Sequence, residues 1–347
     1  MKKIKTISHF LSGSSLSNLI LVLFKNRAEI SWKFFPQILA IFIIPVLFFP
    51  LYLFEICFYS LKIRKTKIDK DPIFIIGHWR SGTTYLHNLL SQDKQFGFPT
   101  TYQCFLPGVF LTGKNFLKAI HKTTLPDKRP MDDVKLNSDF PQEEEFIISA
   151  LSPYSYYQCY FFPKKMIDFF SSYALLSSEN SKKWEKLFLF IVKKITYVCK
   201  GKQLIMKNPV NTFRISHLIN IFPNAKFIYL HRESNQLLNS TYKLFDRFLA
   251  LYSFQVMEET IIKNNILWVY NQLLSQYDEQ RKLIGKHNLV EVDYNVFIKN
   301  PLEEVERIYC SLQLDGFETA QDDFRKYILG QASYRPDTYG DLGKRIK

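Results

Sequence analysis

Pro72-Ile73-Phe74-Ile75-Ile76-Gly77-His78-Trp79-Arg80-Ser81-Gly82-Thr83-Thr84-Tyr85-Leu86-His87-Asn88-Leu89-Leu90 decides how this chain folds. The apolar run Ile73-Phe74-Ile75-Ile76 is rich in β-branched and aromatic side chains and reads as a buried strand. A loop bounded by Gly77 and Gly82 follows it. An amphipathic helix opens directly after the loop. That order aims several free backbone N–H groups at one spot, where a phosphate can sit.

The two glycines have the spacing of the nucleotide-binding pattern G-x-x-x-x-G-K-[ST], but Thr83 stands where that pattern has Lys. The cation has moved into the loop, to Arg80. Arg80 can lie beside the bridging oxygen of a 5′-phosphate, and Ser81, Gly82, Thr83 and Thr84 complete the expected 5′-phosphate site. A magnesium-dependent enzyme also needs a carboxylate at the end of a neighbouring strand. Two later strand-like runs, Gln203–Lys207 and Ala225–Arg232, end in cations instead. The pattern predicts an anionic donor handled by Arg and Lys, without a metal.

The rest of the chain alternates helix and strand signals. Residues 182–199 carry Trp184, Leu187, Phe188, Ile191, Val192, Ile195 and Val198 at helical spacing, with Gly201 as a stop. Strand 203–207, a short helix at 212–222, strand 225–231, a helix from Ser234, a longer one over 256–284, strand 289–292 and a helix from Pro301 follow. The expected fold is α/β: a P-loop-like parallel sheet flanked by helices, with an apolar helical N-terminal segment. Residues 1–66 form that segment and 67–347 the catalytic domain. Residues 97–165, rich in Pro, Tyr, Phe and Thr, read as an insert of loops and short helices. Ligands of such sheets bind at the carboxyl ends of the strands, where the loop, Lys207 and Arg232 all lie.

These residues resemble the sulfotransferase family that uses 3′-phosphoadenylyl sulfate (PAPS). Within it they are similar to the divergent bacterial-type group whose loop reads G-H-x-R-S-G-T-T-x-L-H-N-L-L. Ser91-Gln92-Asp93, Lys207-Asn208-Pro209, the strand leading into Arg232 and then Ser240, and the block Asn288–Tyr294 with Asn300-Pro301-Leu302 extend the resemblance over roughly residues 70 to 330. It implies sulfonate transfer from PAPS to an acceptor hydroxyl. It also implies that Arg232 and Ser240 bind the 3′-phosphate and that Lys207 stabilises the bridging oxygen as sulfonate leaves. Ser240 lies about two helical turns beyond Arg232, so it can share the face that points back to the strand end.

A proton acceptor is also needed within hydrogen-bond reach of the acceptor hydroxyl. Asp139-Phe140-Pro141-Gln142-Glu143-Glu144-Glu145-Phe146 supplies three adjacent carboxylates before an apolar helix. Glu144 and Glu145 lead Glu143 for the role. The same residues equally suit a helix start favoured by the macrodipole. His78 and His87 are alternatives. Better-known relatives carry a His after the second strand, a pattern from which this chain departs.

Composition narrows the partners. The chain has 347 residues with 46 Lys and Arg against 32 Asp and Glu, a net charge of +14 that favours anionic ligands or an acidic membrane surface. No nucleic-acid partner is expected. Five widely spaced Cys, without C-x-x-C, suit a reducing compartment, no structural zinc and core thiols. Residues 38–54 hold no charge and are near the length a bilayer span needs, yet contain Pro45 and Pro50 and are bounded by Glu55. Lys25, Arg27 and Lys33 precede them, and Lys62, Arg64, Lys65, Lys67 and Lys70 follow, so charge gives no orientation. The expectation is a peripheral or re-entrant segment on the cytoplasmic side of a membrane, with a true span as a further alternative, and a lipid or glycolipid acceptor. A soluble cytoplasmic protein follows if the segment belongs to the fold. A nucleotide kinase or triphosphatase is the rival enzyme reading. A membrane-tethered nucleotide-binding protein without turnover is the rival outside catalysis.

Overall fold

The computed structural model describes residues 9–129, 135–176 and 178–331. They form two compact units, each built from separated stretches of chain. One comprises the chain up to Lys67 together with Pro99–Tyr197 and Leu244–Asn265. The other comprises Ile68–Phe98, Val198–Lys243 and the chain from Ile266.

The second unit is an α/β sandwich. Strands β1 (Ile73–Gly77), β2 (Phe96–Gly97), β3 (Gln203–Lys207), β4 (Lys226–His231) and β5 (Leu289–Asp293) form one sheet in the order β2-β3-β1-β4-β5. Every pairing is parallel. β1 is buried along its whole length, as a strand covered on both faces must be, whereas edge strand β5 alternates. Leu86, Leu89 and Leu90 pack with Ile73, Ile75 and Ile205 in the core. The chain leaves β1 for one side of the sheet and returns after β3 to its other side. The carboxyl end of β1 is therefore the switch point where such sheets hold ligands. Register sets Ile75 beside Lys207 and Gly77 beside Leu230, bringing the ends of β3 and β4 to either side of the loop.

The first unit is helical. The insert forms short helices, among them Thr101–Phe105, Phe116–Thr124, Glu145–Leu151 and Gln158–Phe161. Aromatic packing joins them to the leading segment: the Phe10 ring lies 3.9 Å from that of Tyr252 and 4.7 Å from that of Phe146. Helices α1 (Leu16–Lys25) and α2 (Phe35–Lys65) follow. α2 runs unbroken through Pro45 and Pro50, and through Glu55, which the sequence reading took as the limit of the apolar run. The charge is tolerated because it is paired. Glu55 is buried, accepts the N–H groups of Leu111 and Thr112 at 2.9 Å each, and lies 2.5 Å from the Lys194 ammonium. Burial pushes the Lys194 ammonium below its ordinary range, and Glu55 opposes that shift. Residues 32–65 are long and apolar enough to cross a membrane by length and composition.

The expectation that all five cysteines are core thiols fails at two. Cys104 and Cys159 are buried, but Cys57 and Cys310 are exposed. Each sits on a helix, α2 and Pro301–Ser311 respectively, on the side turned to solvent.

Candidate active site

The loop after β1 is shaped by its glycines. Gly77 has φ +138°, and a Cβ there would stand 2.3 Å from the Leu230 carbonyl oxygen. Gly82 has φ +95°, and a Cβ would meet the Tyr294 ring at 2.6 Å. Neither position accepts a side chain. Gly82 caps helix α3 (Thr83–Leu90), and its carbonyl accepts the N–H groups of Tyr85 and Leu86. Thr83 and Thr84 open the helix at the loop, where a helix end offers backbone donors and a positive dipole. Arg80 adopts φ +69°, a left-handed conformation uncommon outside glycine.

Most residues singled out in the sequence gather here. Arg80 Nε donates to Ser240 Oγ at 2.8 Å. Arg232, just past β4, donates from Nη1 to the Arg80 carbonyl at 3.1 Å, and its guanidinium lies 4.2 Å from the centre of the Tyr294 ring. Lys207, at the end of β3 and 2% exposed, has Nζ 3.4 Å from Thr84 Oγ1. Ser81 and Thr83 are buried, and Ser81 Oγ donates to the His78 carbonyl at 2.8 Å. Two guanidinium groups and one ammonium thus surround a helix N-terminus, an arrangement suited to an anion with charge at more than one point.

Glu144 and Glu145 belong to the first unit. Both are fully buried; Glu145 is the first residue of helix Glu145–Leu151 and Glu144 precedes it. Glu145 accepts the Ser155 hydroxyl at 2.8 Å, and Glu143 accepts that of Tyr157 at 2.9 Å.

Two contributors escaped the sequence reading. Thr212 Oγ1 accepts the Gly77 N–H at 2.9 Å and donates to the Gly77 carbonyl at 3.1 Å, clasping the start of the loop to the turn after β3. No spacing rule marks that threonine. Tyr294 lies under both Gly82 and Arg232; the sequence reading included it in the block Asn288–Tyr294 but gave it no role.

His78 and His87 are buried, and burial pushes their imidazoles from 6.5 down to about 4 and about 3. At His87 the Lys207 charge adds to burial. Both rings are neutral at pH 7. The unfolded chain protonates them near its ordinary value, so their contribution is complete above about pH 6.5 and is lost as pH falls through the folded values. Each should steepen the pH dependence of stability by about 1.4 kcal/mol per pH unit across that window. Urea unfolding between pH 7 and 4 checks this. His87→Gln should flatten the curve, and an unchanged slope would count against the assignment.

Among the described residues, no three His, Cys, Asp or Glu side chains gather as a metal-ligand set.

Comparison with known proteins bears on the family and the fold. The profile of the sulfotransferase family matches residues 72–319. Omega-hydroxy-beta-dihydromenaquinone-9 sulfotransferase Stf3, from Mycobacterium bovis and from Mycobacterium tuberculosis, is 30% identical over 280 residues, covering 80% of this chain and 72% of the relative. Sulfotransferase STF9 from Mycobacterium avium superposes with a TM-score of 0.66 at 16% identity, over 82% of this chain and 74% of its own. Sulfotransferase STF1 from Mycobacterium tuberculosis H37Rv gives 0.59 at 16% identity, over 89% and 85%. These two structures bear on the fold.

Proposed function

Because the chain belongs to the sulfotransferase family, we propose that it moves a sulfonate group from PAPS to a hydroxyl on a lipid, at the cytosolic side of a membrane. The observation that carries this reading is Arg80, held in the loop by Ser240, together with Lys207 at the end of the adjoining strand, whose ammonium reaches Thr84 at the start of the helix after the loop. The acceptor oxygen forms a bond to sulfur as the sulfur–oxygen bond to the 5′-phosphate breaks. The acceptor proton goes to a carboxylate, and 3′-phosphoadenosine 5′-phosphate (PAP) leaves. Charge builds on the bridging oxygen during this exchange, and fixed cations stabilise it.

In this reading the loop amides, Ser81, Gly82, Thr83 and Thr84 hold the 5′-phosphate. Arg80 and Lys207 neutralise the leaving oxygen. Arg232 and Ser240 read the 3′-phosphate. The proton acceptor is Glu144 or Glu145, both carboxylates removed from solvent. A lipid acceptor accords with the relative named for a hydroxylated menaquinone and with the apolar α2, and the cytosol is where PAPS is expected for a bacterial-type member.

The test is transfer of labelled sulfonate from PAPS into lipid extracts, with and without a magnesium chelator. Sulfonated lipid, unaffected by the chelator, is expected. Magnesium-dependent turnover of ATP in its place would favour a kinase or triphosphatase. PAP binding without transfer to any hydroxylated lipid would favour a non-catalytic binder. Arg232→Ala should weaken PAP by about 1.5–3 kcal/mol, the worth of a hydrogen bond to a charged group. Adenosine 5′-phosphate, which lacks the 3′-phosphate, should be nearly unaffected in calorimetry, and equal losses for both nucleotides would remove Arg232 from that role.

A further inference from the structure

Helix α2 is apolar all round, yet its two faces meet different surroundings. Ile38, Ile41, Pro45, Glu55 and Ile63 are buried within the first unit. Contacts to the same unit run along nearly its whole length. Gln37 donates to the Leu251 carbonyl at 3.5 Å, Tyr52 packs on Gly108, Glu55 pairs with Lys194, and Lys193 donates to the Arg64 carbonyl at 2.9 Å. From residue 37 to 64 at 1.5 Å per residue this is about 40 Å of helix held against protein.

The opposite face is bare. Leu39, Ile43, Leu47, Phe58 and Leu61 are 56%, 64%, 67%, 59% and 68% exposed. They recur at helical spacing and form one stripe. Exposed cations stand at both ends: Lys33 before the helix, and Lys62, Arg64 and Lys65 in its last turn. Trp32, at the leading end, is 88% exposed. An apolar stripe ending in cations and an aromatic residue complements the surface of an anionic leaflet.

A bilayer-crossing helix carries about 30 Å of its length through hydrocarbon, and whatever packs along it must enter as well. For α2 that would take the Glu55–Lys194 pair and the backbone groups bonded to its inner face into the bilayer. We propose that α2 is an in-plane anchor: its bare face sinks into one leaflet of an anionic membrane while both helix ends stay on the same side. This deepens the membrane part of the reading above and is independent of the group transferred.

Flotation of the full chain with phosphatidylcholine vesicles, with and without phosphatidylglycerol, tests the proposal in the absence of nucleotide. The chain should float, and more strongly with the anionic lipid. Ile43→Glu/Leu47→Glu/Phe58→Glu should cut the bound fraction by roughly tenfold, since charge on the stripe opposes insertion. These positions face solvent, so circular dichroism and PAP affinity should match the parent chain and separate this outcome from misfolding or a failed sulfotransfer reading. Cys57, exposed on α2, should lose reactivity toward an impermeant maleimide on vesicles, while exposed Cys310 keeps it. In a Cys57→Ser/Cys310→Ser background, Ser31→Cys and Thr66→Cys should both label from outside the vesicles. Labelling of only one end would make α2 a span and overturn the proposal. So would vesicle binding indifferent to the three glutamates, no binding at all, or a stable dimer protecting Cys57 without lipid.

Discussion

Lys207→Met should lower the rate of sulfonate transfer about 10²–10³-fold, equivalent to about 2.7–4 kcal/mol of transition-state stabilisation. PAP affinity should change far less. The distinction arises because a cation aimed at a developing negative charge gains most of its value only as that charge appears. Methionine is the informative substitution: Lys207 is buried at the end of β3, and a shorter side chain would add a cavity to the loss of charge. An independent readout accompanies the kinetics. Lys207 helps to hold the His87 imidazole below its ordinary range, so the substitution should let that ring titrate at higher pH, visible by NMR. A variant with parental kcat would remove Lys207 from the chemistry.

Glu55→Ala should destabilise the helical unit by about 3–5 kcal/mol, the usual loss when one partner of a buried ion pair is removed. The Lys194 ammonium would be left buried opposite an apolar side chain, and the Leu111 and Thr112 amides would lose their acceptor. Glu55→Leu with Lys194→Met should recover much of the loss, because two apolar side chains can pack where the pair stood. Urea unfolding of the single and double variants measures both. A single-variant loss below about 1 kcal/mol would mean that the pair is solvated, as surface pairs are.

The strand–loop–helix core could be read directly from residues 72–90. Four apolar residues between turn signals allow little besides a buried strand, and the paired glycines fix the loop. β3, β4 and the following helices appeared within a residue or a few of their expected bounds for the same reason. Other elements gave no local signal. β2 is two residues long, too short for any periodicity, and exists because β3 offers a free edge. Helix Phe317–Gly330 also went unread, although Phe317, Ala320 and Phe324 line its buried side. Glu55 ended the apolar run in the sequence because its partner, Lys194, lies far along the chain. The same limit hid Thr212 and Tyr294, whose roles depend on which strands become neighbours. Arg80, Arg232 and Ser240 could be singled out because the loop motif and the family resemblance carry them, and the structure brings them together. Glu144 and Glu145 suit both a helix start and a chemical role, and sequence offers no means of choosing.

In the proposed transfer, Arg80 sets this chain's chemistry against its durability. A left-handed backbone at a non-glycine residue costs about 1–2 kcal/mol, a cost glycine would not incur. Against that cost, the Arg80 side chain donates to Ser240, a contact glycine could not make. Selection for heat resistance alone would therefore push position 80 toward glycine, at the expense of the role proposed for its guanidinium. On the proposed transfer, arginine is expected to persist at this position where turnover is selected, and glycine to be tolerated where it is not.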